Sequence, residues 1–143
     1  MKTQADRDQL ANRVVERMMR DDLFSQWLGI EVLEVREGYC RIRMTVRPEM
    51  INGFGVVHGG ATFSLADSAF AFACNNRNNL STALDTSINF TRPTLPGDVL
   101  TAEAREFHNG RSTGVYTITV TNQRDEQVAL FKGTCYRTGK TLV

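Results

Sequence analysis

The sequence has 143 residues, 41% hydrophobic and 23% charged, with a formal net charge of +1. That is the size and balance of one soluble globular domain, with no bulk field to draw in nucleic acid or an anionic membrane. Three scattered cysteines (Cys40, Cys74, Cys135) and two histidines (His58, His108) form no Cys-x-x-Cys pair and no ligand cluster, so no metal is expected, and the thiols are expected reduced in a cytoplasm.

The first ten residues carry Asp6 and Asp8 and no apolar run, unlike a secretory leader. No stretch approaches the roughly 18 apolar residues that span a bilayer. Residues 5–28 read as a helix, with Leu10, Val14, Met18 and Leu23 at near-helical spacing between charges and Gly29 as its stop. From Ile30 to Arg47 the period changes to two. Ile30, Val32, Leu33 and Val35 are followed by Cys40, Ile42, Met44 and Val46, so Glu37-Gly38 is the turn of a hairpin that Pro48 ends.

Residues 49–57 form a Gly-rich loop, and 58–77 read as a second helix of a different kind. Ala61, Phe63, Leu65, Ala66, Ala69, Phe70, Ala71, Phe72 and Ala73 leave it no polar face, as expected of a helix surrounded by protein. Strands then follow at 81–92, 98–108, 111–121 and 127–138. They are punctuated by Pro93, Pro96-Gly97, Asn109-Gly110 and Arg124-Asp125-Glu126. Strands grouped this way, without βαβ repeats, predict an antiparallel α+β fold. One sheet of about six strands would curl around the helix at 58–77, making residues 1–143 a single domain.

Asp67 is the odd residue of that helix. Burying an ionised carboxylate without partners costs several kcal/mol or more, so the position needs a reason. Two readings stand: a structural acid paired with an Arg, Ser68 or a backbone donor, or a carboxylate facing a cleft as base or nucleophile. The segment before it favours chemistry. His58-Gly59-Gly60 opens the helix, where unpaired N–H groups and the positive dipole end suit a carbonyl oxygen gaining charge, and glycine lets a reacting group come close.

Gly59 and Asp67 are eight positions apart, about 12 Å of helical rise. Groups acting on one carbonyl must lie within roughly 3 Å of the reacting atoms. One copy of the helix cannot do both jobs, whereas two antiparallel copies related by a twofold axis can. The expectation is an obligate homodimer with two shared sites.

The run from Asn52 to Ala71, NGFGVVHGGATFSLADSAFA, resembles the acyl-CoA thioesterases of the hot-dog fold, those of phenylacetic acid degradation in particular. The likeness extends over about residues 7–139 and includes LDTSINFTRP at 84–93. It implies a hot-dog fold assembled as a dimer of dimers, a homotetramer, with acyl-CoA as substrate and no cofactor. It puts the catalytic acid on Asp67, the carbonyl-polarising amide on Gly59, and polar groups lining the reacting centre on His58 and Asn52. Gly60, Thr82, Phe63 and Phe90 are the expected substrate contacts. The hydroxyl that places water in related thioesterases aligns with Ala83, with Thr82 and Thr86 nearby.

Each position also has a simpler reading. His58 can cap its helix, and Asn52 before Gly53 can be turn chemistry. Cys74 can be a small core residue. Arg92, Arg111, Lys132 and Arg137 can be solvated strand-face charges rather than contacts to coenzyme A phosphates. Gly53-x-Gly55-x-x-His58 has neither the third glycine nor the βαβ unit of a dinucleotide site. The activity implied is hydrolysis of (hydroxy)phenylacetyl-CoA or a similar thioester. A hydratase or dehydratase of the same fold and a non-enzymatic acyl-CoA binding module are the alternatives.

Overall fold

The computed structural model describes residues 1–143. In chain order it contains α1 (Gln4–Asp21), α2 (Leu23–Leu28), β1 (Glu31–Arg36), β2 (Tyr39–Thr45), a 3-10 turn at Pro48–Met50, α3 (Gly59–Asn75), β3 (Ser81–Phe90), β4 (Val99–Asn109), β5 (Thr113–Thr121) and β6 (Gln127–Arg137). The six strands form one sheet in the order β1-β2-β4-β5-β6-β3, every pair antiparallel. Its concave face holds α3, which packs against β2, β4, β5, β3 and β6. This is the hot-dog arrangement the sequence led us to expect.

Leu65, Ala66, Ala69, Phe70, Phe72, Ala73 and Cys74 of α3 are buried against strand residues such as Ile42, Leu100, Ile118 and Phe131. The alternation of alanine with phenylalanine brings the backbones close while still filling the space between them. Gly133 on β6 shows how tight the fit is, since a Cβ there would lie 2.7 Å from the Phe70 ring.

Three features depart from the sequence reading. The N-terminal helix is two helices, not one. Thr3 and Asp6 close a capping box on α1, and the chain breaks at Asp22, whose side chain caps α2 through the Ser25 N–H. Gly29, at φ 76°, ends α2 as foreseen. Second, α3 is not covered all round. Gly60, Ser64, Asp67 and Ala71 recur at steps of four, three and four and form one stripe that the chain leaves only partly covered or exposed. Third, Arg137 is no strand-face charge. It is buried and spans from the Cys74 carbonyl (2.8 Å) and Ser81 Oγ (3.0 Å) to Asn109 Oδ1 and Tyr116 Oη, both 2.8 Å away.

The sheet ends at β3, which pairs with β6 alone. Only Ser81 in that strand is buried, and Leu84 and Phe90 are 60% and 56% exposed. An edge of ten residues, open on its free side and exposed over most of its length, is unusual for a chain that works alone. A register shift between Ala83 and Asp85 leaves Leu84 unpaired as a bulge.

Candidate active site

The site is built around the first turn of α3. The preceding loop is fixed before it arrives there. Asn52 Oδ1 accepts from the Phe54 N–H (2.8 Å) and the Val56 N–H (3.3 Å), and the Asn52 N–H donates to the Val56 carbonyl at 2.8 Å. The His58 N–H then donates to Met50 and the Val57 N–H to Thr94, each at 2.8 Å. Asn52 thus serves the turn with its oxygen, while its side-chain N–H groups donate to nothing in the chain.

His58 is the N-cap of α3, and its Nδ1 accepts from the Gly60 N–H at 2.9 Å. An accepting Nδ1 places the proton of a neutral imidazole on Nε2, which faces outward as a donor. The Gly59 N–H between them donates to no group of the chain. It is one of the orphan donors at the positive end of a 17-residue helix.

Two cavities flank this turn. One, of about 420 Å³, is lined by Gly59, Val57, Thr62, Phe90, Arg92 and Val128 among others. The Phe90 ring rests on Gly59, 3.0 Å from where a Cβ would be, and Arg92 pairs with Glu126 at 3.1 Å. The other, of about 220 Å³, lies on the opposite side of the turn between α2 and α3. Its walls include Phe24, Trp27, Leu28, Met50, His58 and Ser64. Phe24 and Trp27 stack with centroids 6.0 Å apart, and both are more than half exposed.

Asp67 lies two turns further along the stripe of Gly60 and Ser64. It is half-buried and makes no hydrogen bond or ion pair within the chain. The structural explanation for a buried acid is therefore missing. Ser68 hydrogen-bonds Ser25 at 2.8 Å rather than Asp67, and no arginine reaches the carboxylate. Burial pushes its proton affinity above that of an ordinary aspartate, and the nearby charge of Asp22 adds to this.

Gly59 and Phe90 thus line one cavity and His58 and Gly60 the other, Asn52 fixes the loop that leads to them, and Asp67 borders neither cavity. Phe63 packs edge-on against Phe131, at 5.3 Å between centroids, and borders neither as well. Thr82 is exposed near the start of β3, opposite Tyr136. Phe70 and Phe72 belong to the core. The sequence reading passed over α2, which supplies Phe24, Trp27 and Asp22. Its signals were the cap pattern Asp22-x-x-Ser25 and the two aromatics three residues apart.

An unpaired amide at a helix start can stabilise a developing oxyanion, and an unpaired, desolvated carboxylate can act as base or nucleophile, a pair of tasks that acyl transfer to water calls for. No three His, Cys, Asp or Glu side chains are grouped to hold a metal ion, and no helix is long and apolar enough to cross a membrane.

Comparison with known proteins agrees with this chemistry. A family described as the Thioesterase superfamily matches residues 54–129. The chain is 44% identical over 125 residues to the acyl-coenzyme A thioesterase PaaI of Escherichia coli, covering 87% of this chain and 89% of that one. The solved structure of E. coli PaaI, from the phenylacetic acid degradation operon, superposes with a TM-score of 0.92 at 42% identity, covering 94% and 97% of the two chains. A mutant of the phenylacetic acid degradation protein PaaI from Thermus thermophilus gives a TM-score of 0.79 at 36% identity, over 81% and 99%. A Streptococcus mutans protein bound to acetyl CoA gives 0.76 at 30% identity, over 78% and 90%.

Proposed function

The chain belongs to the thioesterase superfamily and is a thioester hydrolase of the PaaI type, and we propose that it hydrolyses arylacetyl-CoA esters at two sites that a pair of chains share. The observation that carries this reading is the separation of two unpartnered groups along one helix, the Gly59 N–H at its start and the Asp67 carboxylate two turns on.

In this reading the thioester carbonyl accepts from Gly59 of one copy, and the helix dipole stabilises the charge that develops on oxygen. Asp67 of the second copy acts on the carbonyl carbon. It takes the proton from an attacking water or adds to the carbon itself. The C–S bond then breaks, and coenzyme A leaves as its thiolate and takes up a proton. After attack by water this frees the acid directly, whereas after addition it leaves an anhydride between Asp67 and the acyl group, which a water then hydrolyses to the acid and the restored carboxylate. Appearance of solvent oxygen-18 in Asp67 after one turnover distinguishes addition from water activation.

Two surfaces support the pairing. The uncovered stripe Gly60-Ser64-Asp67-Ala71 and the free edge of β3 both need a cover, and edge-to-edge pairing about a twofold axis would provide one for each. Packing of two such pairs gives the homotetramer proposed from the sequence. The cavity walled by Phe24 and Trp27 beside His58 supports an aromatic acyl group and, with it, a place in phenylacetate breakdown. The three free, buried cysteines suit a reducing cytoplasm.

The test is subunit mixing. Asp67→Asn lowers kcat by about a thousandfold or more, on the scale of losing an essential base or nucleophile. Gly59→Pro removes the amide donor and keeps the helix, because proline suits the first helical position and His58 is already extended, while its ring displaces the Phe90 side chain that rests there. It costs about a hundredfold to a thousandfold. Mixed after unfolding and reassembly, the two inactive variants regain activity, because one site of each hybrid pair combines an intact Gly59 with an intact Asp67. A mixture as inactive as its components overturns the shared site.

A further inference from the structure

The larger of the two cavities, about 420 Å³ on the β3 side of the Gly59 turn, has no part in the hydrolysis described so far. The Val57 N–H donates to the Thr94 carbonyl at 2.8 Å, which ties the loop before α3 to the segment after β3 and joins two of its walls. Val56, Val57, Phe90, Pro93 and Val128 make much of the lining apolar, and Arg92 is its only charged residue.

Two hydroxyls break that apolar surface. Ser64 on α3 donates to the Gly60 carbonyl at 2.7 Å, as a helical hydroxyl commonly does, and Thr91 donates to the Gln127 carbonyl at 3.0 Å. Thr62 and Thr94 have no such partner, although they are only 3% and 6% exposed. The one side-chain nitrogen or oxygen that is both unpaired and sealed from solvent is Arg137 Nε. The two threonine hydroxyls are therefore reached from the cavity that they line. A buried hydroxyl left without a partner costs stability, so two in one cavity point to a ligand that supplies the missing bonds.

The lining also says what kind of ligand. A hydroxyl both donates and accepts, which matches an amide better than an ion. The ligand is then an uncharged, largely aliphatic chain that carries amides and meets an anion at the rim, where Arg92 lies. The Arg92 side chain is 53% exposed, and its five N–H donors have one partner, Glu126, at 3.1 Å. Glu126 also accepts from Asn122 and Arg124, so a phosphate can draw Arg92 away without leaving a bare carboxylate. The thiol half of an acyl-CoA has this order of groups: sulfur, an aliphatic arm with two amides, then phosphates. The thioester fixes the direction as well. With its carbonyl on Gly59 and its acyl group in the smaller cavity, its sulfur points to the other side of the turn.

We propose that the larger cavity is the channel for the pantetheine arm of coenzyme A, with the Thr62 and Thr94 hydroxyls on its amides and Arg92 on a phosphate at its outer end. This assignment rests on Gly59 as the donor to the carbonyl, as proposed for the hydrolysis, and not on which chain supplies the acid.

The experiment compares three phenylacetyl thioesters that differ only in the thiol: coenzyme A, pantetheine, which lacks the phosphates, and ethanethiol, which lacks the amides too. Ratios of kcat/KM between thioesters cancel any general loss of folded enzyme. Arg92→Gln lowers the ratio of coenzyme A to pantetheine about tenfold, as expected for a lost bond between charged groups. Thr62→Val and Thr94→Val each lower the ratio of pantetheine to ethanethiol about threefold to tenfold, the size of one neutral hydrogen bond. Wild-type pantetheine-to-ethanethiol ratios in both threonine variants overturn the proposal and leave the hydroxyls to water. A change in the preference for phenylacetyl-CoA over acetyl-CoA, with the thiol ratios fixed, also overturns it, because the cavity then holds the acyl group. Gly59→Pro in the same assay separates the two levels of the argument. If it hydrolyses phenylacetyl-CoA normally, the placement of the carbonyl itself fails. If it is inactive while the threonine variants keep wild-type ratios, only the role of the cavity fails.

Discussion

At the scale of single residues, the molecule accepts a local cost at the position that matters most. Asp67 is desolvated without a partner, which penalises its charged form, and a neighbouring carboxylate adds to the penalty. The effect on stability has a definite sign. Because its proton affinity is higher folded than unfolded, Asp67 costs the fold nothing at a pH where both states are protonated. It costs most once the folded form has ionised. Asp67→Asn is therefore expected to raise Tm at pH 7, with a gain that shrinks as the pH falls through the raised folded value and is gone below the ordinary aspartate value of 3.8, as thermal unfolding across that range checks. A gain at neutral pH from a substitution that abolishes turnover is the pattern of a residue kept for function against stability. His58 and Asn52 show the opposite economy. Each uses one side-chain atom for structure, Nδ1 to cap α3 and Oδ1 to close the loop, and leaves its other side-chain nitrogen without a partner in the chain.

At the scale of elements, α2 matters more than its six residues suggest. It closes the smaller cavity with Phe24 and Trp27 and carries Ser25 and its cap Asp22 to α3. Trp27 also lies under Arg47, at 5.2 Å from guanidinium carbon to ring centroid, which fixes the open side of the wall. Trp27→Ala is expected to lower kcat/KM for phenylacetyl-CoA by about tenfold or more, since the lost wall serves only a bulky acyl group. Acetyl-CoA turnover should stay within about threefold. Equal losses on both thioesters would remove α2 from specificity.

The hairpin at Glu37-Gly38, the helix at 58–77 and the four closing strands were legible because period and turn residues agree there. The break at Asp22 was not, because Leu10, Val14, Met18 and Leu23 keep a helical spacing straight through it. The open stripe on α3 was hidden for a different reason. Alanine, serine and glycine suit a covered and an uncovered helix face equally, so the pattern says nothing about which face lacks a cover. Arg137 was misread because long cations usually lie on surfaces, and nothing local marks the four acceptors that hold it.

At the scale of the whole molecule, the single chain leaves two surfaces open at once, the β3 edge and the α3 stripe. If a second copy completes both, activity must follow assembly. Serial dilution below the dissociation constant is expected to lower turnover per chain, with sedimentation showing the pair come apart over the same range. Constant specific activity in a preparation shown to be monomeric would be the contrary result. The central motif of residues 52–71 made the thioesterase family legible in advance, and the countable rise from Gly59 to Asp67 set the expectation of a shared site. The walls of the smaller cavity were not legible, since α2, Met50 and Ser64 meet only through the fold.

The strand order also governs how the chain comes together during synthesis. β6 lies between β5 and β3, so β3, complete at Phe90, has no partner in its own chain until Gln127 and the residues after it have been made. The strands β4 and β5 can pair with each other meanwhile, but β3 must wait with Leu84 and Phe90 uncovered. Pairings between segments so far apart close slowly and leave sticky edges open in the interval. The strand that ends as the free border of the finished sheet is thus also the one longest without company in the nascent chain, and crowding by other unfinished copies is most hazardous there.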